Sequence, residues 1–199
     1  MLNVKEFWDQ GFTIVNRPDL FFFLDSIEHS VVYNPIDEEC GGMAVGDNVE
    51  QALALTVSAI ETELISQLGF EDQLYNWDRT LCKSIDSQSK KWHDDRRKTG
   101  HHQKYTELLV LGYLDTMIEP NGGNVYLTSI DRENSDVECH PDDPLVYEDI
   151  PEDNQIFKIT PKKYDLILCN TTTPNNIHYV EPMKELIQRR LLNMKWSYV

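Results

Sequence analysis

His93 and Asp95 lie two residues apart, and a second imidazole, His178, follows far downstream in Ile177-His178-Tyr179-Val180. In an extended strand successive side chains point to opposite faces, so His93 and Asp95 share a face while Asp94 points away. His178 would then arrive from a remote strand as a third donor. Two histidines and one carboxylate on one face of an octahedron leave three positions open, an arrangement that suits non-haem Fe(II) and oxygen chemistry. His-x-Asp alone is a weak signal, because an exposed polar loop explains such a tripeptide equally well. Its surroundings decide the reading.

Those surroundings are strands. Thr80 to Ser84 and Lys91 to Asp95 read as extended segments flanking a polar turn, and Tyr105 to Thr116 as a long apolar strand. Pro120-Asn121-Gly122-Gly123 is a turn, and Asn124 to Ile130 a further strand. The acidic, Pro-punctuated stretch from Asp131 to Gln155 reads as one long loop. Strand signals resume over Gln155 to Thr160, Tyr164 to Cys169, Ile177 to Val180 and Arg190 to Trp196. The N-terminal part reads differently, as covering helices and loops. Leu53, Val57, Ile60, Leu64 and Leu68 recur at spacings of three and four, Asp47 and Glu50 suggest a capping box, and Gly69 is a stop signal. Short, evenly spaced strands after a helical region predict a mainly β fold, a barrel or double-sheet jelly roll with helical support. With no internal repeat and no linker, one domain over residues 1–199 is expected, with 1–77 as helical support and 78–199 as the β core.

Charge and composition remove several function classes. The 199 residues carry a formal charge of −16, which argues against a nucleic-acid partner, since such proteins need a basic surface. No apolar run approaches the roughly 18 residues of a membrane span, and the N-terminus lacks the layout of a signal peptide. Cys40, Cys82, Cys139 and Cys169 are scattered without a Cys-x-x-Cys pair, as expected of reduced thiols in a cytoplasmic protein.

The order of motifs resembles the 2-oxoglutarate- and Fe(II)-dependent dioxygenases, specifically their prolyl-4-hydroxylase-like branch. The resemblance covers residues 78–198. It rests on His93-x-Asp95, the strand end Tyr113-Leu114-Asp115, Gly122-Gly123, the Pro161 approach to a strand, His178-Tyr-Val-Glu-Pro182, Arg189-Arg190 and Trp196. Asp115 stands where that branch has Asn. The resemblance implies a double-stranded β-helix, cupin-like, with N-terminal helices. It implies that His93, Asp95 and His178 hold Fe(II) as the catalytic centre, with 2-oxoglutarate as chelating cosubstrate, O2 in the last position, and ascorbate as an accessory. The far carboxylate of 2-oxoglutarate needs a cation, and the fork of Arg suits it. Arg189 and Arg190 are both candidates. In the family a Trp follows the Arg by six residues on the same face, which selects Arg190 with Leu192, Met194 and Trp196 and turns Arg189 outward with Leu191, Asn193 and Lys195. Tyr113 matches the tyrosine that hydrogen-bonds the same carboxylate.

The resemblance thus implies a hydroxylase acting on an unactivated C–H of an amino-acid-like small molecule or of a protein side chain, prolyl among the candidates, as a monomer or homodimer. Asp95 in the carboxylate position points to hydroxylation rather than halogenation. The competing class is a non-catalytic, cupin-like metal-binding or sensing protein. A metal hydrolase with the same ligands is disfavoured, because no motif places a separate general base. Lys90, Lys91, Arg96, Arg97, Lys98 and Lys104 are most simply a solvated loop, with a lid for anions as the alternative. His101-His102 follow Gly100 in a polar loop, and His29 and His140 belong to no constellation.

Overall fold

The apolar runs Leu108–Tyr113 and Asp165–Asn170 are too short for helices, and every residue in them is buried. They form the inner strands of a sheet covered on both faces. The structure is a computed structural model that describes residues 1–35, 42–84, 92–93, 106–130, 139–140, 143–147, 150, 154–171, 175–184 and 189–198. In chain order its elements are α1 (Val4–Gln10), β1 (Phe12–Asn16), α2 (Phe22–Ile27), β2 (Val32–Asn34), β3 (Gly42–Val45), α3 (Asp47–Ile60), a π-helical stretch Glu61–Ile65, α4 (Ser66–Leu68), β4 (Leu74–Ser84), β5 (Trp92–His93) and β6 (Leu108–Tyr113). There follow β7 (Val125–Ile130), β8 (Cys139–His140), β9 (Asp143–Tyr147), β10 (Phe157–Ile159), β11 (Asp165–Asn170), β12 (Asn175–Val180) and β13 (Arg189–Tyr198).

Two antiparallel sheets result. The large one has the order β1-β11-β6-β13-β4-β3-β2 and the small one β10-β7-β12-β5-β9-β8. The fold is mainly β with helical support, as expected. Strand alternation divides the apolar residues between two cores. Leu109, Leu111 and Tyr113 of β6, Ile167 and Cys169 of β11 and Leu191 of β13 point between the sheets, where they meet Val125, Leu127 and Val180 of the small sheet. The opposite face of the large sheet, with Leu108, Val110, Leu166, Leu168, Leu192, Met194 and Trp196, packs on Phe7, Leu24, Leu53, Val57 and Ile60 of the helices.

Three expectations are corrected here. The N-terminal region is not only helices and loops: β1 closes one edge of the large sheet, β2 and β3 the other, and β4 runs across residues 77 and 78. No capping box forms, because Gly46 occupies the cap position and its carbonyl receives the N–H groups of Val49 and Glu50. Asp47 and Glu50 lie instead in the first turn, where carboxylates favour the helix dipole. The segment Asp131 to Gln155 is not a single loop, since β8 and β9 form a hairpin and β9 extends the small sheet beside β5. The expected helix stop holds: Gly69 has φ +74. Neither Cys82 nor Cys169 is in a disulfide. No described helix is long and apolar enough to cross a membrane.

Candidate active site

The small sheet brings the two histidines together. His178 on β12 is directly opposite His93 on β5 in the antiparallel register, and their ring centroids are 4.2 Å apart. On the other side of β12, His178 pairs with Leu127, whose side chain points between the sheets, as does that of Val180 two residues on. Alternation therefore turns both imidazoles into the interior. His178 is buried, whereas His93 keeps partial access to solvent. The outward residues Trp92 and Tyr179 stack behind them at 5.9 Å, and Ile177 packs there with Trp92 and Ile150. Two neighbouring imidazoles on rigid strands fit a metal donor pair.

Asp95 lies outside the described residues, as do Asp94, the Arg96 to His102 stretch and Lys104. Among the described residues no group of three or more His, Cys, Asp or Glu could hold a metal. Two of the three expected donors are thus placed, and they converge.

The two arginines part company. Arg190 points to the helix side. Its guanidinium donates to Asp115 from Nε at 3.0 Å and from Nη2 at 2.6 Å, and Nη1 donates to Glu28. Its own N–H donates to Asp115 at 2.7 Å. It lines a polar cleft of about 430 Å3 with Glu28, His29, Tyr33, Lys83 and Asp115, away from His93 and His178. Arg189 takes the opposite face, that of Leu191, and is 8 % exposed. Its Nε and Nη1 are buried with no hydrogen-bond partner among the described residues.

Tyr113 joins it there. The ring is fully buried, and its hydroxyl also lacks a hydrogen-bond partner among the described residues. Burial pushes the phenol up to about 12, while the nearby Arg189 guanidinium pulls the other way. The hydroxyl is therefore a neutral donor. Buried polar groups in proteins are nearly always satisfied, so orphaned donors of one cation and one phenol in one interior mark a place for an anion.

The strand faces of β13 thus group as the sequence suggested, but the opposite one carries the interior. Leu192, Met194 and Trp196 form an apolar face that the helices cover, and Arg190 goes with them. Trp196 does not enter the interior: its Nε1 donates to Glu61 at 2.7 Å, in the π-helical stretch. The sequence did not single out Asn176, and it turned Asn193 outward with Arg189. Asn176 is buried two residues before His178 on the same face; its amide donates to the Thr128 carbonyl, and its Oδ1 has no partner among the described residues. The Asn193 Oδ1 is similarly buried on the face of Arg189. The period-two spacings from His178 and Arg189 were the available signal.

No family model matches the sequence, and no curated protein matches it. Solved structures do match by shape. One is a viral collagen prolyl hydroxylase from Paramecium bursaria Chlorella virus-1 in complex with 2-oxoglutarate, with TM-score 0.62 and 13% identity over 96% of this chain and 97% of that one. A second is a prolyl hydroxylase from Trichoplax adhaerens in complex with a hypoxia inducible factor peptide, with TM-score 0.59 and 16% identity over 98% and 87%. A third, HygX from Streptomyces hygroscopicus with nickel, 2-oxoglutarate and hygromycin B bound, has TM-score 0.62 and 12% identity over 98% and 86%. At these identities the likeness establishes architecture, and the chain has the double-stranded β-helix fold that prolyl hydroxylases and other 2-oxoglutarate–Fe(II) oxygenases share.

Proposed function

We propose that this protein is an Fe(II)- and 2-oxoglutarate-dependent oxygenase that hydroxylates an unactivated C–H of an amino-acid-like small molecule or of a peptidyl side chain. One observation carries the reading. The interior that receives His93 and His178 also holds donors of Arg189 and Tyr113 that have no partner among the described residues, which supports a metal site and an anion site facing one space. His93, His178 and the sequence-adjacent Asp95 would hold the metal. Fe(II) with 2-oxoglutarate and O2 supplies the oxidising power for C–H hydroxylation, releasing succinate and CO2.

The chain's own residues do the rest. Arg189 grips the far carboxylate of the cosubstrate with its planar fork, and Tyr113 donates its O–H to the same group. Val125, Leu127, Leu191 and Ile167 wall the interior and keep water from it. Buried in that setting, a charged hydrogen bond contributes more than it would in water. Asn176 from the small sheet and Asn193 from the large one offer amide oxygens to the interior, to orient the target carbon. Arg189 replaces Arg190 in this assignment, because the Arg190 fork is already committed to two carboxylates.

The fold relatives act on different targets, and the site reading extends to the reaction type and not to one substrate. The test is an anaerobic titration with Fe(II) and 2-oxoglutarate, followed by the visible charge-transfer band of the chelate. A succinate-release screen over free amino acids and peptides then identifies the substrate class. Metal binding without the charge-transfer band, or the band without succinate release from any substrate, would favour the non-catalytic cupin-like reading.

A further inference from the structure

We propose that Asp115 and Glu28 are positioning residues: by holding Arg190 on the helix side of the large sheet, they dictate which of two consecutive arginines presents its guanidinium to the interior. The inference rests on the reading of Arg189 as the carboxylate anchor, and it assigns a task to a charge cluster that the site itself does not use.

The geometry that supports it is local and redundant. Arg189 is the first residue of β13, and neighbouring side chains of a strand point to opposite sides. Fixing Arg190 on one face therefore fixes Arg189 on the other. Asp115 holds Arg190 at two levels, accepting its backbone N–H at 2.7 Å and its guanidinium through both oxygens. The Arg190 carbonyl in turn receives the N–H of Leu114 at 3.1 Å. Glu28, just after α2, takes the remaining Nη1. Asp115 sits two residues beyond Tyr113, so one carboxylate ties the strand end that carries the phenol to the strand start that carries the guanidinium.

The hydrophobic pattern cannot do this alone. Leu192, Met194 and Trp196 set the phase of the strand body, since a one-residue slip would turn all three away from the helices. Strand ends are the least constrained part of a ladder, and the first two positions carry residues of identical chemistry. A charge on one side adds to the strand phase in distinguishing them. Two carboxylates on the helix side make that face attractive to Arg190, and among the described residues no acid pairs with Arg189 in the interior.

The experiment measures anaerobic binding of 2-oxoglutarate to the Mn(II)-loaded protein by calorimetry, with thermal melts alongside. Asp115→Ala should weaken binding about 10- to 100-fold, the usual cost of removing the partner that orients a binding side chain. Asp115→Asn retains an acceptor for the Arg190 N–H and should recover part of that loss; Glu28→Gln should weaken binding to a smaller degree. In turnover, the KM for 2-oxoglutarate should rise with kcat largely kept. Should Asp115→Ala fail to fold, Asp115→Asn and Glu28→Gln carry the test. Arg189→Met separates the two ideas: if it binds as wild type does, the anchor reading itself falls. If Arg189→Met abolishes binding while folded Asp115 and Glu28 variants bind normally, the positioning role is overturned and the anchor stands.

Discussion

His178 stands directly opposite His93 in the register of β12 and β5, and the two imidazoles are held 4.2 Å apart, centroid to centroid, on the inner surface of the small sheet. This pairing is backbone-enforced, since both side chains leave paired strands toward the same face. It leads to a first expectation. His93→Ala and His178→Ala should each abolish retention of Fe(II), measured by metal analysis after gel filtration, because two remaining ligands hold iron poorly. Asp95→Ala should do the same and Asp94→Ala should not. Iron retained in both histidine variants would place the metal elsewhere.

Arg189→Ala and Arg190→Ala should differ in cosubstrate affinity. Loss of a buried, hydrogen-bonded guanidinium–carboxylate pair costs about 2–5 kcal/mol, so Arg189→Ala should all but eliminate 2-oxoglutarate binding. Arg190→Ala acts only through the placement of its neighbour and should weaken binding less. Calorimetry ranks the two, and the reverse order would return the anchor to Arg190.

Tyr113→Phe separates a ligand-binding hydroxyl from a structural one. The hydroxyl has no hydrogen-bond partner among the described residues. Its removal should therefore leave the melting temperature of the ligand-free protein unchanged or raised, because a buried polar group without a partner is costly. Binding of 2-oxoglutarate should fall, since a hydrogen bond to a charged group contributes about 1.5–3 kcal/mol. A marked loss of ligand-free stability would show that the phenol serves the fold.

The acid limb of stability should carry a Glu28 component. The hydrogen bond from Arg190 holds the Glu28 carboxyl below its ordinary value of 4.5. A depressed native value means that the contribution is present above the unfolded value and is lost as pH falls through the native one. The side chain is 34% exposed, so screening limits the contribution to under about 1 kcal/mol. Glu28→Gln should lower the melting temperature slightly above pH 5, and the difference from wild type should shrink as pH falls below the ordinary carboxyl value of 4.5. An equal difference at both ends would assign the effect to packing.

Gly122→Ala should destabilise the link between the second histidine strand and the turn before β7. Gly122 has φ +80 with ψ −163, and a Cβ there would lie 2.0 Å from the Pro182 carbonyl oxygen. Such backbone conformations cost a side chain about 1–3 kcal/mol before any overlap. A drop of several degrees in melting temperature, with metal affinity reduced in parallel, is the expected result.

The sequence by itself determined the second half of β4, the strands β5 to β7 and β10 to β13, the amphipathic helix and the identity of the inward histidines. The reason is that period-two and period-three/four patterns are local properties, so Leu53, Val57, Ile60, Leu64 and Leu68 on one helix face, and His178 in phase with Val180, can be read without a partner. Tyr113 was legible too, in phase with Leu109 and Leu111. What the sequence left open was which face of β13 is the inside. Alternation says that Arg189 and Arg190 oppose each other, and nothing in the strand says which way the sheet is turned. That was settled by layers distant in the chain. The apolar side of β13 is claimed by α3 and its neighbours, and the polar side is left for the interior. The same holds for β1, β2 and β3, whose pairing depends on edges supplied by β11 and β4, and for β9, whose pairing depends on the edge supplied by β5. Side-chain period is encoded locally, whereas the choice between two faces depends on what else must be buried against them.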